Sequence, residues 1–131
     1  MTKFSVPKSS ASRFSPFTFA AIALLTSSVV LAAEPKALVV NEIQITDAEK
    51  YKEYSSQVAA TLLPYGGVSV VRGGNGTVLS GPELAGRVAI VEFPSRAKAM
   101  EWHESSDYQR ILKIRNASST SRVYIVDKMA P

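Results

Sequence analysis

The sequence of 131 residues contains no cysteine and a single histidine, His103. Without cysteine the chain has no disulfide, no thiolate nucleophile and no zinc–thiolate site. A metal centre would have to combine one imidazole with carboxylates, so the sequence predicts no metal site. Haem, flavin and nicotinamide signatures are missing as well, and we therefore expect no cofactor.

Acidic side chains are missing from residues 1–33. All 11 Asp and Glu residues lie from Glu34 onward, whereas this first segment carries three basic residues, Lys3, Lys8 and Arg13. The formal charge of +4 falls to +1 without the segment, with 12 basic against 11 acidic side chains. A nearly neutral domain has no electrostatic footprint for nucleic acid or for an anionic membrane surface, so neither is a predicted partner.

A mostly apolar stretch over residues 17–31 follows the basic residues and ends in Ala32 and Ala33. Basic, then apolar, then small residues are the order of a secretory signal. We predict a signal peptide over 1–33, cleaved after Ala32 or Ala33, and a periplasmic or secreted domain over 34–131 without a membrane segment. An uncleaved anchor and a mitochondrial presequence are the alternatives, although the apolar run is short for a membrane span and long for a presequence.

Strand and helix signals alternate along the rest of the chain in the order β-α-β-β-α-β. Runs rich in Val, Ile and Leu predict four strands, over residues 37–45, 68–72, 87–93 and 121–127. Glycine-rich residues 73–76 predict a turn after the second strand, and residues 77–79 are expected to extend that hairpin.

Two helices are predicted between the strands. Thr46 and Glu49 have the spacing of a capping box ahead of the first helix, whose apolar positions recur at helical spacing as far as Pro64. Ser95 is the predicted N-cap of the second helix. A further start signal at residues 105–107 precedes an amphipathic run through Arg115.

This element order is that of the ferredoxin-like α+β fold, in which a four-stranded antiparallel sheet carries two helices on one face. The strands contain consecutive apolar residues, as at 38–40, 88–91 and 123–126, so both faces of the sheet are apolar. Large exposed apolar patches are rare on soluble monomers. We therefore predict a homodimer in which the uncovered faces of two sheets pack together.

Several short motifs occur in a recognisable order. Residues 47–54 read DAEKYKEY, and PYGG, VRGGN, VEFPS and AMEWHESSDYQ follow. They resemble the pattern of the domain of unknown function 1330 (DUF1330) family over nearly all of the predicted domain. His103 departs from that pattern, because an aromatic such as Tyr is commoner after the Trp, and the exported leader is a second departure. The resemblance implies a dimeric α/β-barrel fold, but no reaction, since the family has no established activity.

Eight residues are candidates for facing a ligand, and none is predicted to be catalytic: Glu42, Tyr54, Tyr65, Arg72, Glu92, Trp102, His103 and Tyr108. Counting by twos places Glu42, Arg72 and Glu92 on apolar strand faces, which together would suit a small-ligand cavity between the sheets. A structural ion pair between Arg72 and Glu92 is the alternative. Core packing is the first interpretation of the aromatic residues, and exposure is the first interpretation of His103, with a ligand-facing role as the alternative for each.

Three functions remain open from the sequence. The first is a homodimer that binds a small organic molecule without established catalysis. The second is a cofactor-independent monooxygenase or isomerase, since relatives of the implied fold include such enzymes. The third is a structural or interaction module with no ligand. An open cavity would favour the first two, and a carboxylate of raised pKa inside it would favour the second.

Overall fold

The computed structural model describes residues 2–5, 7–10, 12 and 32–130. Residues 17–31, which carry the apolar part of the predicted signal, lie outside the described residues. In order, the elements are β1 (Ala37–Ile45), α1 (Ala48–Leu62), a 3₁₀ turn (Leu63–Tyr65), β2 (Val68–Asn75), β3 (Arg87–Phe93), α2 (Arg96–Glu104), α3 (Ser106–Ser118) and β4 (Ser119–Asp127). The predicted β-α-β-β-α-β order is confirmed, with the second helix divided in two.

The four strands form one antiparallel sheet in the order β2-β3-β1-β4. β1 is therefore central, and it pairs with β3 on one side and with β4 on the other. This is the ferredoxin-like arrangement that the element order predicts. The predicted hairpin extension over residues 77–79 is wrong, because those residues are irregular and β2 ends at Asn75.

Helix starts are fixed by short polar side chains. Asp47, rather than the predicted Thr46, is the N-cap of α1, and its carboxylate accepts a hydrogen bond of 3.0 Å from the backbone N–H of Lys50. The predicted cap at Ser95 is confirmed by a 3.1 Å bond from the N–H of Lys98. Ser105 ends α2 in an extended conformation and caps α3, which explains why one predicted helix becomes two.

The two faces of the sheet differ in what covers them. Along β1, alternate residues from Ala37 to Ile43 are buried, because they point toward the helices. The main hydrophobic core lies there and is dominated by Phe93, Trp102, Tyr108 and Ile111. The rings of Trp102 and Tyr108 stack with centroids 3.9 Å apart, which joins α2 to α3.

The second face of the sheet, which we call the open face, has no helix on it. Register places four rows of side chains on it, and large apolar residues remain exposed there, namely Val68, Val70, Tyr124 and Val126. The predicted apolar character of both faces is thus confirmed. Ion pairs border this surface: Arg122 with Glu42, and Lys36 and Lys128 with Glu92.

Within the described part of the chain, every helix is too short or too polar to cross a bilayer.

Candidate functional site

A cavity of about 530 Å³ lies between the sheet and helices α1 and α3, on the face opposite the open face. β1, β2 and β3 form its floor, and α1 covers it. Aliphatic side chains make up much of the wall, among them Val39, Ile43, Val58, Leu62, Val71 and Val91. The volume falls within the range of small-molecule pockets, about 300–1,000 Å³.

Arg115 is the least expected residue of the cavity wall. It lies in the last turn of α3 with 6% of its surface exposed. Its Nη1 donates a 2.9 Å hydrogen bond to the hydroxyl of Tyr108, and Nη2 makes a 3.5 Å contact with Asn116 Oδ1. Nε has no hydrogen-bond partner, and no carboxylate among the described residues pairs with this guanidinium. Such a buried, unpaired cation costs on the order of several kcal/mol.

Three tyrosines surround this arginine. Burial, and next the neighbouring Tyr54, raise the pKa of Tyr51 to about 12. Burial, followed by Tyr108, raises the pKa of Tyr54 further still, and burial also raises the pKa of Tyr108. All three phenols therefore stay protonated at neutral pH.

Asn41 supplies a second buried polar group. It lies on the central strand β1, where it pairs with Ala89 and Val123, and it is 8% exposed. Its Oδ1 has no hydrogen-bond partner. Most buried polar atoms in proteins are paired, so these two unpaired atoms are unusual, and both lie enclosed behind the cavity wall rather than open to the cavity.

Two further arginines line the exposed part of the cavity, Arg72 on β2 and Arg87 at the start of β3. Arg72 lies within an irregular stretch of β2, where the register against β3 shifts between Ser69 and Val71 and again between Val71 and Gly74. Each bulge inserts a residue and re-aims the side chains that follow it. Arg72 is thereby brought to the cavity lining, away from Glu92.

Four of the eight candidate residues line the cavity: Tyr54, Arg72, Trp102 and Tyr108. Trp102 is fixed there by a buried 3.0 Å hydrogen bond from its Nε1 to the hydroxyl of Thr61, which itself donates to the carbonyl of Val58. The interpretation of Tyr54, Trp102 and Tyr108 as core residues is also correct, because each belongs to the hydrophobic core.

The other four candidates lie elsewhere. Glu42 and Glu92 lie on the open face, since they pair in register with Val88 and Leu38, so the predicted grouping of these carboxylates with Arg72 does not form. The alternative ion pair between Arg72 and Glu92 is wrong as well, because Glu92 binds Lys36 and Lys128, each at 2.8 Å. Tyr65 and His103 lie outside the cavity lining. Tyr65 ends the 3₁₀ turn, and half-buried His103 packs beside Trp102 and Tyr108.

The two lysines have a marked effect on Glu92. Hydrogen bonds from Lys128 and Lys36 lower the pKa of this carboxyl from 4.5 to about 2. Glu92 is thus a charged, paired group on the border of the open face, which is the opposite of the raised pKa expected of a catalytic acid.

Arg115, Asn41 and Tyr51 line the cavity but were not among the candidates. A signal for Arg115 is present in the sequence, because it continues the buried stripe of Tyr108 and Ile111 at helical spacing. A cation at a core position of an amphipathic helix is unusual, since arginine is almost never fully buried unless paired. Asn41 gives a weaker signal, as one polar residue on the inward side of β1.

Comparison with known proteins places the chain among uncharacterised relatives. The model of the family described as domain of unknown function, DUF1330, matches residues 36–129. A protein of unknown function from Rhodopseudomonas palustris is 25% identical, with a TM-score of 0.63, over 75% of this chain and 85% of that one. No curated protein matches.

A more distant structural neighbour has a described activity. SnoaB from Streptomyces nogalater, a cofactor-independent oxygenase, is 14% identical and has a TM-score of 0.53, over 74% of this chain and 96% of that one. At this level of identity the similarity establishes a shared fold, of the type found in dimeric α/β-barrel proteins.

Proposed function

This chain belongs to the DUF1330 family, and we propose that it is an exported, homodimeric protein that binds a small organic molecule in the cavity beneath α1. The observation that carries the binding function is the cavity wall itself. It combines apolar side chains with the buried guanidinium of Arg115, which forms no ion pair with a described carboxylate. An uncompensated buried cation costs free energy, and a ligand in the cavity that compensates this charge recovers part of it.

Binding without catalysis is favoured over an enzyme by the chemistry of the wall. Among the described residues that line the cavity there is no Asp, Glu or His. The phenols hold their protons, because the pKa of each of the three tyrosines is raised. A cofactor-independent oxygenase or isomerase that removes a proton from its substrate needs a general base, and these groups are poor bases at neutral pH.

A module without a ligand is the other alternative, and the cavity volume opposes it. A space of about 530 Å³ beneath α1 leaves wall atoms without packing partners, which a purely structural domain would be expected to fill. Ligand binding therefore explains the cavity better than a purely structural role does.

A thermal-shift screen of small metabolites on the mature domain tests this proposal. Ala89→Phe places a ring in the cavity, because Ala89 lines it from β3, whereas Ala60 is an exposed residue of α1 outside the lining. We expect ligands that raise the melting temperature of the wild type and of Ala60→Phe, but not of Ala89→Phe. A hit that stabilises all three proteins equally would mean that the cavity is not the site.

The open face supports the homodimer. Val68 and Val70 of the edge strand β2 are 60% and 53% exposed, and Tyr124 and Val126 of β4 are exposed on the same face. An apolar sheet face is stabilised by packing on an identical face about a two-fold axis. Sedimentation equilibrium of the mature domain should give the mass of two chains at micromolar concentration, and a single-chain mass would contradict the proposal.

Export is supported by the charge and apolar pattern of residues 1–33. Expression of the full chain in a bacterial host should yield a periplasmic or secreted protein whose intact mass corresponds to a start at Ala33 or Glu34. A full-length mass in the cytoplasmic fraction would contradict it, and a full-length mass in the membrane fraction would indicate a retained anchor.

A further inference from the structure

The charged residues that line the cavity all have the same sign. Lys52, Arg72, Arg87 and Arg115 line it, and no acidic residue does so among the described part of the chain. Lys52 is exposed and pairs with Glu49. The three arginines form no ion pair with a described carboxylate. The cavity is therefore strongly cationic in a domain whose overall charge is nearly neutral.

Arg115 concentrates this charge at the buried end. A guanidinium has five N–H donors and stays positively charged in proteins. One donor is used well, in the 2.9 Å bond to Tyr108, while the Asn116 contact is long at 3.5 Å and Nε is unpartnered. Because Nε is enclosed, what remains for a ligand is the charge of Arg115 and the unused N–H groups of its terminal Nη atoms, and a planar anion satisfies both.

We propose, building on the binding function above, that the ligand is a small aromatic carboxylate whose carboxyl group pairs with Arg115 and whose ring lies against Trp102 and the aliphatic wall. The arginine fork matches the geometry of a carboxylate, which it binds through two parallel hydrogen bonds. A hydroxyl on the ring would meet the polar part of the lining, to which Asn41, Ser55 and Ser69 belong.

The tyrosines strengthen the preference for an anion. Because burial raises the pKa of Tyr51 to about 12 and also raises that of Tyr108, both hydroxyls remain donors at any physiological pH. The oxygen of Tyr108 accepts a hydrogen bond from Arg115, and the hydroxyl of Tyr54 lies beside it. Neutral phenols beside a guanidinium form a set of donors that stabilises negative charge and offers little to a cation.

The other residues of the cavity wall indicate what the apolar part of the ligand is. Trp102 lies between Phe93 and Tyr108 in tilted contacts, with ring centroids 5.3 and 3.9 Å apart, so its ring is packed from both sides. Aliphatic residues of β1, β2 and α1 complete the wall. A single aromatic ring with one or two polar substituents fits such a mixture of apolar surface and few polar groups.

Matched acids and esters test the inference on the mature domain. The probes are benzoate, the three monohydroxybenzoates, and the methyl esters of all four, which keep the ring but lose the charge. Isothermal titration calorimetry at low and high salt gives their affinities. We expect each acid to bind about 10- to 100-fold more tightly than its ester, and at least one hydroxybenzoate to bind more tightly than benzoate.

Two arginine variants of α3 test which guanidinium causes the preference for acids over esters. Arg115→Met should abolish the preference for acid over ester, whereas Arg110→Met should keep it, since Arg110 is exposed and bonds Gln57 outside the cavity. The melting temperature of ligand-free Arg115→Met should be no lower than that of the wild type, because an uncompensated buried charge has been removed. If this variant does not fold, Arg115→Lys should keep a weakened preference for the acids, and a lost or undiminished preference would overturn the role of Arg115.

The same measurements distinguish a wrong anion preference from a wrong binding function. Equal affinities of acids and esters for the cavity would overturn the anion preference and leave the binding function intact. If neither acids nor esters bind, and the wider metabolite screen gives no hit that Ala89→Phe removes, both proposals are wrong. Acid binding that Arg115→Met leaves unchanged would overturn the role of Arg115.

Discussion

Arg115 donates a 2.9 Å hydrogen bond from Nη1 to the phenol oxygen of Tyr108, seven residues earlier in sequence. Both residues belong to α3, and this spacing of about two helical turns places them on one face. Both are buried, with 6% and 1% of their surfaces exposed. The pair therefore ties the charge at the end of the cavity to the aromatic core, and it predicts how stability responds when either partner is removed.

Tyr108→Phe should lower the free energy of unfolding by about 1–3 kcal/mol, because it removes the acceptor of a buried charged donor. Tyr65→Phe is the matched control, since Tyr65 lies outside the cavity lining, and it should change stability by less than about 0.5 kcal/mol. Urea denaturation at one fixed protein concentration measures both effects.

The double variant Tyr108→Phe/Arg115→Met should be more stable than Tyr108→Phe alone. Removing both partners leaves no buried donor without an acceptor, so the two changes are not additive. A double variant less stable than either single one would show that Arg115 stabilises the fold through contacts other than Tyr108.

A second buried hydrogen bond, from Trp102 Nε1 to Thr61 Oγ1 at 3.0 Å, fixes the aromatic wall to α1. Thr61→Val keeps the shape but removes the acceptor, and it should cost about 1–3 kcal/mol of stability. Thr61→Ser keeps the hydroxyl and should lose less. Near-ultraviolet circular dichroism should show a changed tryptophan environment in Thr61→Val, and an unchanged spectrum with unchanged stability would mean that the bond contributes nothing.

Much of the fold is predictable from local sequence. Runs of β-branched residues, turn residues and apolar periodicity predict the strands and helices in their order, and the structure confirms the ferredoxin-like arrangement. The boundaries are less predictable. Thr46 and Asp47 are both good N-caps. The backbone N–H groups of both residues donate to the carbonyl of Ser118, and this contact between distant segments decides which of the two begins α1.

The site is less predictable than the fold, for a geometric reason. Counting by twos assigns Arg72 to the face of Val70 only if β2 is regular, and one inserted residue exchanges the faces. β2 has two such shifts, which no local signal counts. The cavity depends on how far α1 stands from the sheet, which is a property of tertiary packing. The sequence shows that Arg115 is a cation in a predicted buried stripe of a helix, but it does not show that Arg115 lacks an ion-pair partner.

The lowered pKa of Glu92 predicts how the stability of the fold changes at acidic pH. Its pKa in the folded protein is lowered from 4.5 to about 2, so its ion pairs with Lys128 and Lys36 stabilise the fold fully above the ordinary pKa. That stabilisation is lost as the pH falls from 4.5 to about 2. Glu92→Gln should therefore be less stable than the wild type at neutral pH, and should lose less stability over this interval.

Glu53→Gln provides the control for that experiment, because Glu53 is an exposed residue of α1 with no ion pair among the described residues. Thermal denaturation of the three proteins across the acid range compares their slopes. Parallel acid profiles for the wild type and Glu92→Gln would contradict the low pKa of Glu92.

The open face makes the final prediction, that one charge placed on it breaks the dimer. Val70 is 53% exposed on β2, and Leu63, in the 3₁₀ turn after α1, is 76% exposed outside the sheet. Val70→Lys would bury a lysine charge of each chain in the interface, whereas Leu63→Lys adds the same charge where no sheet packing is proposed. We expect a single-chain mass by sedimentation for Val70→Lys and a two-chain mass for Leu63→Lys. Because the helix-covered core is separate from this face, Val70→Lys should keep its helical circular dichroism. A dimer that survives Val70→Lys, or one that dissociates equally in Leu63→Lys, would place the interface elsewhere on the domain.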